Sequence, residues 1–274
     1  MRIIRKIISE DPGRSRFQIS KIVCKSLGWL KPDGGLKDMS CRVAMLRMQD
    51  DGLVHLPPPR SRGRGGKPCR ITLTSSTLPG PPVDQPVHRL PELCLTRVAS
   101  KDQSRLWNEY IQRYHYLGYT PLPGAQIRYF VRIENQTLAL LGFSAAAWKT
   151  APRDEFIGWS PAQRQRNLHL VVNNSRFLIP PWISSKNLAS KVLSTAVRRL
   201  PKDWMKTYNY APVLIESFVQ TDKFAGTCYK AANWQKIGIT KGRGKLDRHN
   251  LCAVPKKDIW VYPLCKKFKK RLLD

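Results

Sequence analysis

The stretch ESFVQTDKFAGTCYKAANWQKIGITKGRGKLDRH, Glu216–His249, decides how this chain is read. With the preceding residues it opens on an apolar run, Val213–Val219 (VLIESFV), whose pattern predicts a strand. Gly226-Thr227 predicts a turn, and Tyr229–Ile237 predicts a short helix leading out of it. A basic loop punctuated by Gly242 and Gly244 follows and ends on Asp247 and His249. A strand, a turn and a short helix are a common way to hold polar side chains at the open end of a sheet. A plain core segment has little use for so many amide, aromatic and turn-forming residues together, although an elaborate structural corner fits the same run.

Outward from this stretch, helices and strands alternate. Asn187–Leu200 (NLASKVLSTAVRRL) has the clearest helical period, with Leu188, Val192, Ala196 and Leu200 four apart. Arg198 and Arg199 sit near its C-terminal end, where the helix dipole favours cations, and Pro201 and Trp204 are expected to close it. Lys101–Tyr116 predicts another helix. Ile127–Arg132 and Gln136–Ser144 predict a hairpin around Glu134-Asn135. Asn167–Val172 predicts a strand leading into Asn173–Phe177, and Asp258–Pro263 (DIWVYP) a last one. The expected class for 93–274 is α+β, helices on a mixed, mostly antiparallel sheet.

Leu78–Leu93 is rich in proline and poor in apolar periodicity, so residues 78–92 read as an inter-domain linker. Before it, Arg16–Leu27 and Lys37–Asp50 have helical spacing, with Met39, Val43 and Leu46 as the apolar stripe of the second, and Gly52 stops that helix. Leu53–His55, the basic tip PPPRSRGRGGK and Cys69–Leu73 then predict a two-stranded wing. Helix, turn, helix and wing give residues 1–77 a winged-helix order. In it Arg60, Arg62, Arg64 and Lys67 suit backbone phosphates, and Lys37, Ser40, Arg42 and Arg47 are candidates to face the major groove.

Lys and Arg outnumber Asp and Glu by 48 to 19 over 274 residues, a formal charge of +29, while 42% of residues are hydrophobic. A folded chain with that excess is most simply neutralised by a polyanion, and DNA is the expected partner. No apolar run approaches the ~18 residues of a membrane span, no secretory leader is evident, and a cytoplasmic location without membrane association is expected. The seven cysteines are scattered without a CxxC pair, so neither a disulfide framework nor a zinc cluster is indicated.

Several residues carry possible chemistry. His115, flanked by Tyr114 and Tyr116, titrates near neutrality and can pass protons. Glu216 lies inside an apolar strand, where an unpaired carboxylate costs several kcal/mol, so it needs a partner; Arg153 and Arg176 are the first candidates. From the predicted short helix, Tyr229 can donate a proton, Asn233 can pair with a base edge and Trp234 can stack on a base. The candidate catalytic set is therefore His115, Tyr116, Glu216, Tyr229 and Asn233. Arg153, Arg176, Trp234, Lys241, Arg243, Lys245 and Arg248 join the wing residues as candidate nucleic-acid contacts. No metal site is indicated, and the cofactor is unassigned.

The blocks YHYLG (Tyr114–Gly118), RDEFIGWS (Arg153–Ser160), NNSRFLIPPW (Asn173–Trp182), NLASKVL (Asn187–Leu193) and GTCYKAANWQKIGITKGRGK (Gly226–Lys245) resemble the DruA family of the Druantia anti-phage systems. That family's core domain also occurs beside transposases. The order of elements over Leu93–Pro263 resembles the GNAT acyltransferase fold, and the same blocks are remotely similar to the Mom DNA-modification protein of phage. Two departures stand out. The place of the glycine-rich coenzyme loop reads Trp182–Asn187 without a glycine, which speaks against a conventional acetyl-coenzyme A donor. Where Mom-like proteins end the penultimate strand on Asp, this chain has Gln220. The resemblance implies a DNA-binding component of an anti-phage system with a base-directed transferase-like site. Two alternatives stay open: a non-catalytic sensor that presents DNA to partner proteins of the defence locus, and a transposition-associated nuclease or recombination factor.

Overall fold

The computed structural model describes residues 2–60, 70–243 and 253–274, and the chain divides into two compact units, Met1–Cys69 and Arg70–Asp274. Arg62, Arg64, Lys67, Lys245 and Arg248, as well as Asp247 and His249, lie outside the described residues.

The first unit is built on α1 (Arg2–Glu10), α2 (Arg16–Ser26) and α3 (Asp38–Asp50). Ser15 starts α2 with a capping box closed by Gln18. Ile4 and Ile7 of α1, Ile19 and Val23 of α2, and Cys41 and Met45 of α3 are buried together with Val54 and Leu56. This corrects the expected α3 stripe: Met39, Val43 and Leu46 are 63%, 47% and 39% exposed. Cys41 and Met45, four residues apart, form a second apolar line, and that line faces the core which α1, absent from the sequence reading, helps to complete. The expected wing strands are not formed at 53–55 or 70–73. Side chains hold the backbone of this segment: Arg5 donates to Leu53 O at 2.9 Å and Arg16 to Pro57 O at 2.7 Å, while Gln49 accepts from Leu56 N. Arg42 pairs with Asp38 at 3.2 Å, Ser40 and Arg47 are exposed, and Arg60 is exposed with a contact to Gly13 O.

The second unit carries a seven-stranded sheet ordered β1-β2-β3-β4-β5-β7-β6. Its strands are β1 (Cys94–Arg97), β2 (Gln126–Ile133), β3 (Gln136–Ala145), β4 (Val171–Leu178), β5 (Leu214–Gln220), β6 (Gln235–Ile239) and β7 (Lys257–Pro263). β4 and β5 are parallel and the other neighbours antiparallel, the α+β arrangement expected. The helices are α4 (Lys101–Tyr114), α5 (Ala151–Ile157), α6 (Pro161–Asn167), α7 (Leu188–Tyr208), α8 (Thr227–Ala231) and α9 (Phe268–Leu273). α7 buries Val192, Ala196, Leu200 and Trp204 with Tyr129, Val131 and Ile215 of the sheet. α4 buries Trp107 and Ile111 with Phe130 and Leu140, while Ile157 and Leu272 pack with Val171, Leu214 and Val261.

Three local expectations change. Pro201 lies inside α7 and does not end it. A proline in a helix interior costs about 3 kcal/mol, and burial of a large side chain such as Trp204, which is fully enclosed, returns a similar amount. The predicted helix Tyr229–Ile237 is split by Asn233 at φ 61° into α8 and β6. Residues 167–170 are helical, and the strand instead runs through the polar stretch that follows, as β4. The proline-rich segment 78–92 belongs to the second unit. Val83 bridges Ile183, accepts from Ser184 N at 2.7 Å and donates to Trp182 O at 3.1 Å, and Val83, Val87 and Leu90 pack on the main core.

Candidate functional site

β4 and β5 pair only through Val171↔Leu214, Val172↔Ile215 and Asn173↔Glu216. Beyond that point the two strands part. A bulge at Ser175 lets Phe143 pair with Asn174 and Gly142 with Arg176, which bends β4 away from β5. The fork opens into a cavity of about 720 Å³, within the roughly 300–1,000 Å³ of small-ligand sites. Its walls come from the end of α4 and the following residues (His115, Tyr116, Thr120–Pro123), from Asn173–Ile179 of β4, from Ser217–Val219 of β5, and from Lys223–Tyr229 and Lys257.

Gly226 sets one wall. Its φ is +70°, and a Cβ there would lie 2.7 Å from the Trp260 ring, so only glycine allows α8 to start so close to the sheet. α8 then presents Tyr229, whose hydroxyl donates to Asn174 Oδ1 at 3.1 Å. The Ser217 hydroxyl lies 3.0 Å from Tyr229 Oη and 3.3 Å from the Asn174 carbonyl oxygen. Burial pushes the Tyr229 phenol well above its ordinary value, so it is protonated and acts as a donor at neutral pH.

The rest of the lining is cationic and aromatic. The Arg176 guanidinium donates to Ser175 O and to Thr120 Oγ1, each at 2.7 Å. Its Nε is buried without a hydrogen-bond partner, and so is Asn173 Oδ1. Burial lowers the Arg176 and Lys257 pKa values, and the Arg176 charge lowers Lys257 further. Tyr116 stacks on His115 with 4.8 Å between centroids and lies 5.4 Å from Phe224, with Lys223 Nζ 5.1 Å from its ring.

His115 caps α4 and accepts from Leu117 N through Nδ1 at 3.2 Å. Burial, then the Arg176 and Lys257 charges, push its pKa down from 6.5 to about 4. The folded protein thus binds this proton less readily than the unfolded chain. The stability that His115 contributes is complete above pH 6.5 and disappears as pH falls through about 4. A histidine titration followed by NMR is expected to place His115 near pH 4 in the free protein and to move it upward once an anion partly neutralises Arg176 and Lys257. A midpoint near 6.5 in the free protein contradicts this electrostatic picture.

His115, Tyr116, Arg176 and Tyr229 are thus brought together, whereas other predicted residues are not. Glu216 neighbours Ser217 and therefore points to the opposite sheet face, where it is fully buried and paired with Arg153 at 3.0 Å. Arg153 is itself fully buried and also binds Asp154 at 2.8 Å, which corrects its reading as a nucleic-acid contact. Burial raises the Glu216 pKa against the pull of Arg153 and of the Ala147 N–H. Trp234 is 3% exposed and packs between Tyr229 and Tyr262, so it offers no ring to a base. Asn233 is exposed and serves the turn after α8. Lys241 and Arg243 are exposed beyond β6. The sequence reading missed Asn173, Asn174, Ser217, Lys223, Phe224 and Lys257. The polar run NNSR inside a strand was the available signal, because a sheet interior rarely accepts four such residues without a purpose.

Among known proteins, the family described as Druantia protein DruA matches residues 79–252, well over half of the chain. No curated protein matches the chain. The ribosomal-protein-S18-alanine N-acetyltransferase of Escherichia coli is similar in structure at 8% identity, with 63% of this chain and 94% of that one covered and a TM-score of 0.39. The polyamine N-acetyltransferase of Drosophila melanogaster gives 10% identity, 63% and 100% coverage and a TM-score of 0.40. A GNAT-family acetyltransferase of Streptococcus pneumoniae gives 12%, 63%, 99% and 0.41. Likeness at this level carries nothing about chemistry.

Proposed function

The chain belongs to the Druantia protein DruA family, and from that membership we propose that it is a DNA-binding component of an anti-phage defence system whose forked sheet receives a nucleotide of the bound DNA. One observation supports this above all: among the described residues the cavity lining contains Arg176, Lys223, Lys257 and His115 but no Asp or Glu. A cationic, partly aromatic cavity suits a phosphate with an attached flat ring, and a base turned out of its stack presents that combination. The neutral His115 is then the group available to accept a proton and Tyr229 the group available to donate a hydrogen bond during a base-directed transfer, for which the donor is a separate molecule.

A second reading, a non-catalytic DNA sensor for partner proteins of the defence locus, is favoured by the withdrawal of Glu216 from the cavity into its ion pair with Arg153. Nucleoside mass spectrometry separates the two. DNA from cells expressing the wild type is expected to contain a nucleoside of altered mass that is absent with Tyr229→Phe. Unaltered nucleosides together with tight, strongly salt-dependent DNA binding support the sensor. Absence of DNA binding even in dilute buffer overturns both.

A further inference from the structure

A second charged surface lies at the closed end of the fork, where Leu214 of β5 pairs with Pro263 of β7 and the chain turns into α9. The apolar side chains of α9 are used internally. Leu272 is fully buried, Phe268 stacks on Phe156 of α5 at 5.9 Å, and Asn167 of α6 donates to Leu272 O at 3.1 Å. The outward side of α9 and of the two residues before it is cationic: Lys266, Lys267, Lys269, Lys270 and Arg271 are all exposed, with Lys269 Nζ 4.7 Å from the Phe156 ring centre. Among the described residues none of the five is ion-paired. α6 adds the exposed Arg166, which donates to Asp274 O at 2.8 Å, while the exposed acids nearby are Glu155 of α5 and Asp274 just past α9. Next to α6, Trp148 is 59% exposed, with the Arg164 guanidinium, which also pairs with Asp154 at 3.0 Å, 5.5 Å from its ring centre.

We propose that this α5–α6–α9 face is a binding surface for single-stranded nucleic acid, with backbone phosphates on the cations of 266–271 and a base stacked on Trp148. Cations beside an exposed aromatic ring are what sequence-tolerant strand binding needs. A membrane surface fits less well, because the apolar residues of α9 are packed inward and leave Trp148 as the single exposed ring of this face among the described residues, too little apolar area to hold a helix among acyl chains. The inference rests on the reading of the protein as DNA-binding, but the surface is separate from the cavity, which opens beyond Asn173 and Glu216 at the other end of the same strands.

The test is fluorescence anisotropy of the full chain with a labelled oligo-dT strand and a labelled duplex over a range of salt. Replacing Lys266, Lys267, Lys269 and Lys270 together by Gln is expected to lower the salt slope for the single strand by about 3, from roughly 0.7 per released phosphate contact. Trp148→Ala is expected to weaken single-strand binding about tenfold with the slope unchanged. Circular dichroism like that of the wild type shows that both variants fold. Wild-type binding by both variants overturns the inference alone, as does a Trp148→Ala without effect. If the wild type binds no DNA, the DNA-binding reading falls with it. Binding to phosphatidylserine vesicles that is lost in the quadruple variant, with DNA binding unaltered, reassigns the face to anionic lipid and overturns the proposal.

Discussion

Arg153→Met is expected to destabilise the second unit by about 3–5 kcal/mol, the range for removing one partner of a buried ion pair. Thermal unfolding is then expected about 10 °C lower than in the wild type, at roughly 2–4 °C per kcal/mol for a unit of this size. Arg153 is fully buried and holds two carboxylates, Glu216 at 3.0 Å and Asp154 at 2.8 Å. Its loss leaves Glu216, among the described residues, with a single hydrogen-bond partner, the Ala147 N–H at 3.1 Å, at a position without solvent. Glu216→Gln is expected to cost less, because Arg153 keeps Asp154 while Asp154 also keeps Arg164 at 3.0 Å. Equal losses from the two variants, or a loss below about 1 kcal/mol for Arg153→Met, contradict the assignment of this network as a structural pin.

Removing two cavity cations, Arg176→Gln together with Lys257→Gln, is expected to weaken the binding of a deoxynucleoside 5′-monophosphate about hundredfold. Each hydrogen bond to a charged group contributes about 1.5–3 kcal/mol, and 1.4 kcal/mol is tenfold in affinity. The parent nucleoside, which lacks the phosphate, is expected to bind wild type and variant alike. Arg176 has the larger share because its guanidinium is already oriented by Ser175 O and Thr120 Oγ1. Isothermal titration reads the ratio directly. A phosphate-independent loss, equal for nucleotide and nucleoside, contradicts an anion-receiving role for these two side chains.

Where one physical rule governs an element, the chain itself discloses it. The hairpin of β2 and β3 and the first half of α7 follow from simple periodicity. The fork was hidden because its β4 edge is polar. NNSR reads as a loop until it is known that one strand can face a cavity and leave its neighbour. Pro201 and Asn233 misled in opposite directions. Burial of Trp204 carried α7 through a proline, while a left-handed asparagine ended α8 within a run that looked helical. The Arg153–Glu216 pairing was foreseeable from the cost of an isolated buried charge, but its placement on the sheet face away from the cavity depends on alternation along β5 and on where α5 packs. On α3 two apolar lines compete, and only tertiary packing with α1 selects the one through Cys41 and Met45.

The central claim is that a nucleotide of bound DNA enters the fork between β4 and β5. Ultraviolet cross-linking of the full chain to DNA carrying 5-bromodeoxyuridine, followed by peptide mass spectrometry, tests it most directly. Adducts are predicted on peptides spanning Tyr114–Pro123 or Lys223–Tyr229, with their yield sharply reduced by Arg176→Gln. Adducts confined to other parts of a chain that demonstrably holds the DNA, with none on the cavity walls, contradict it.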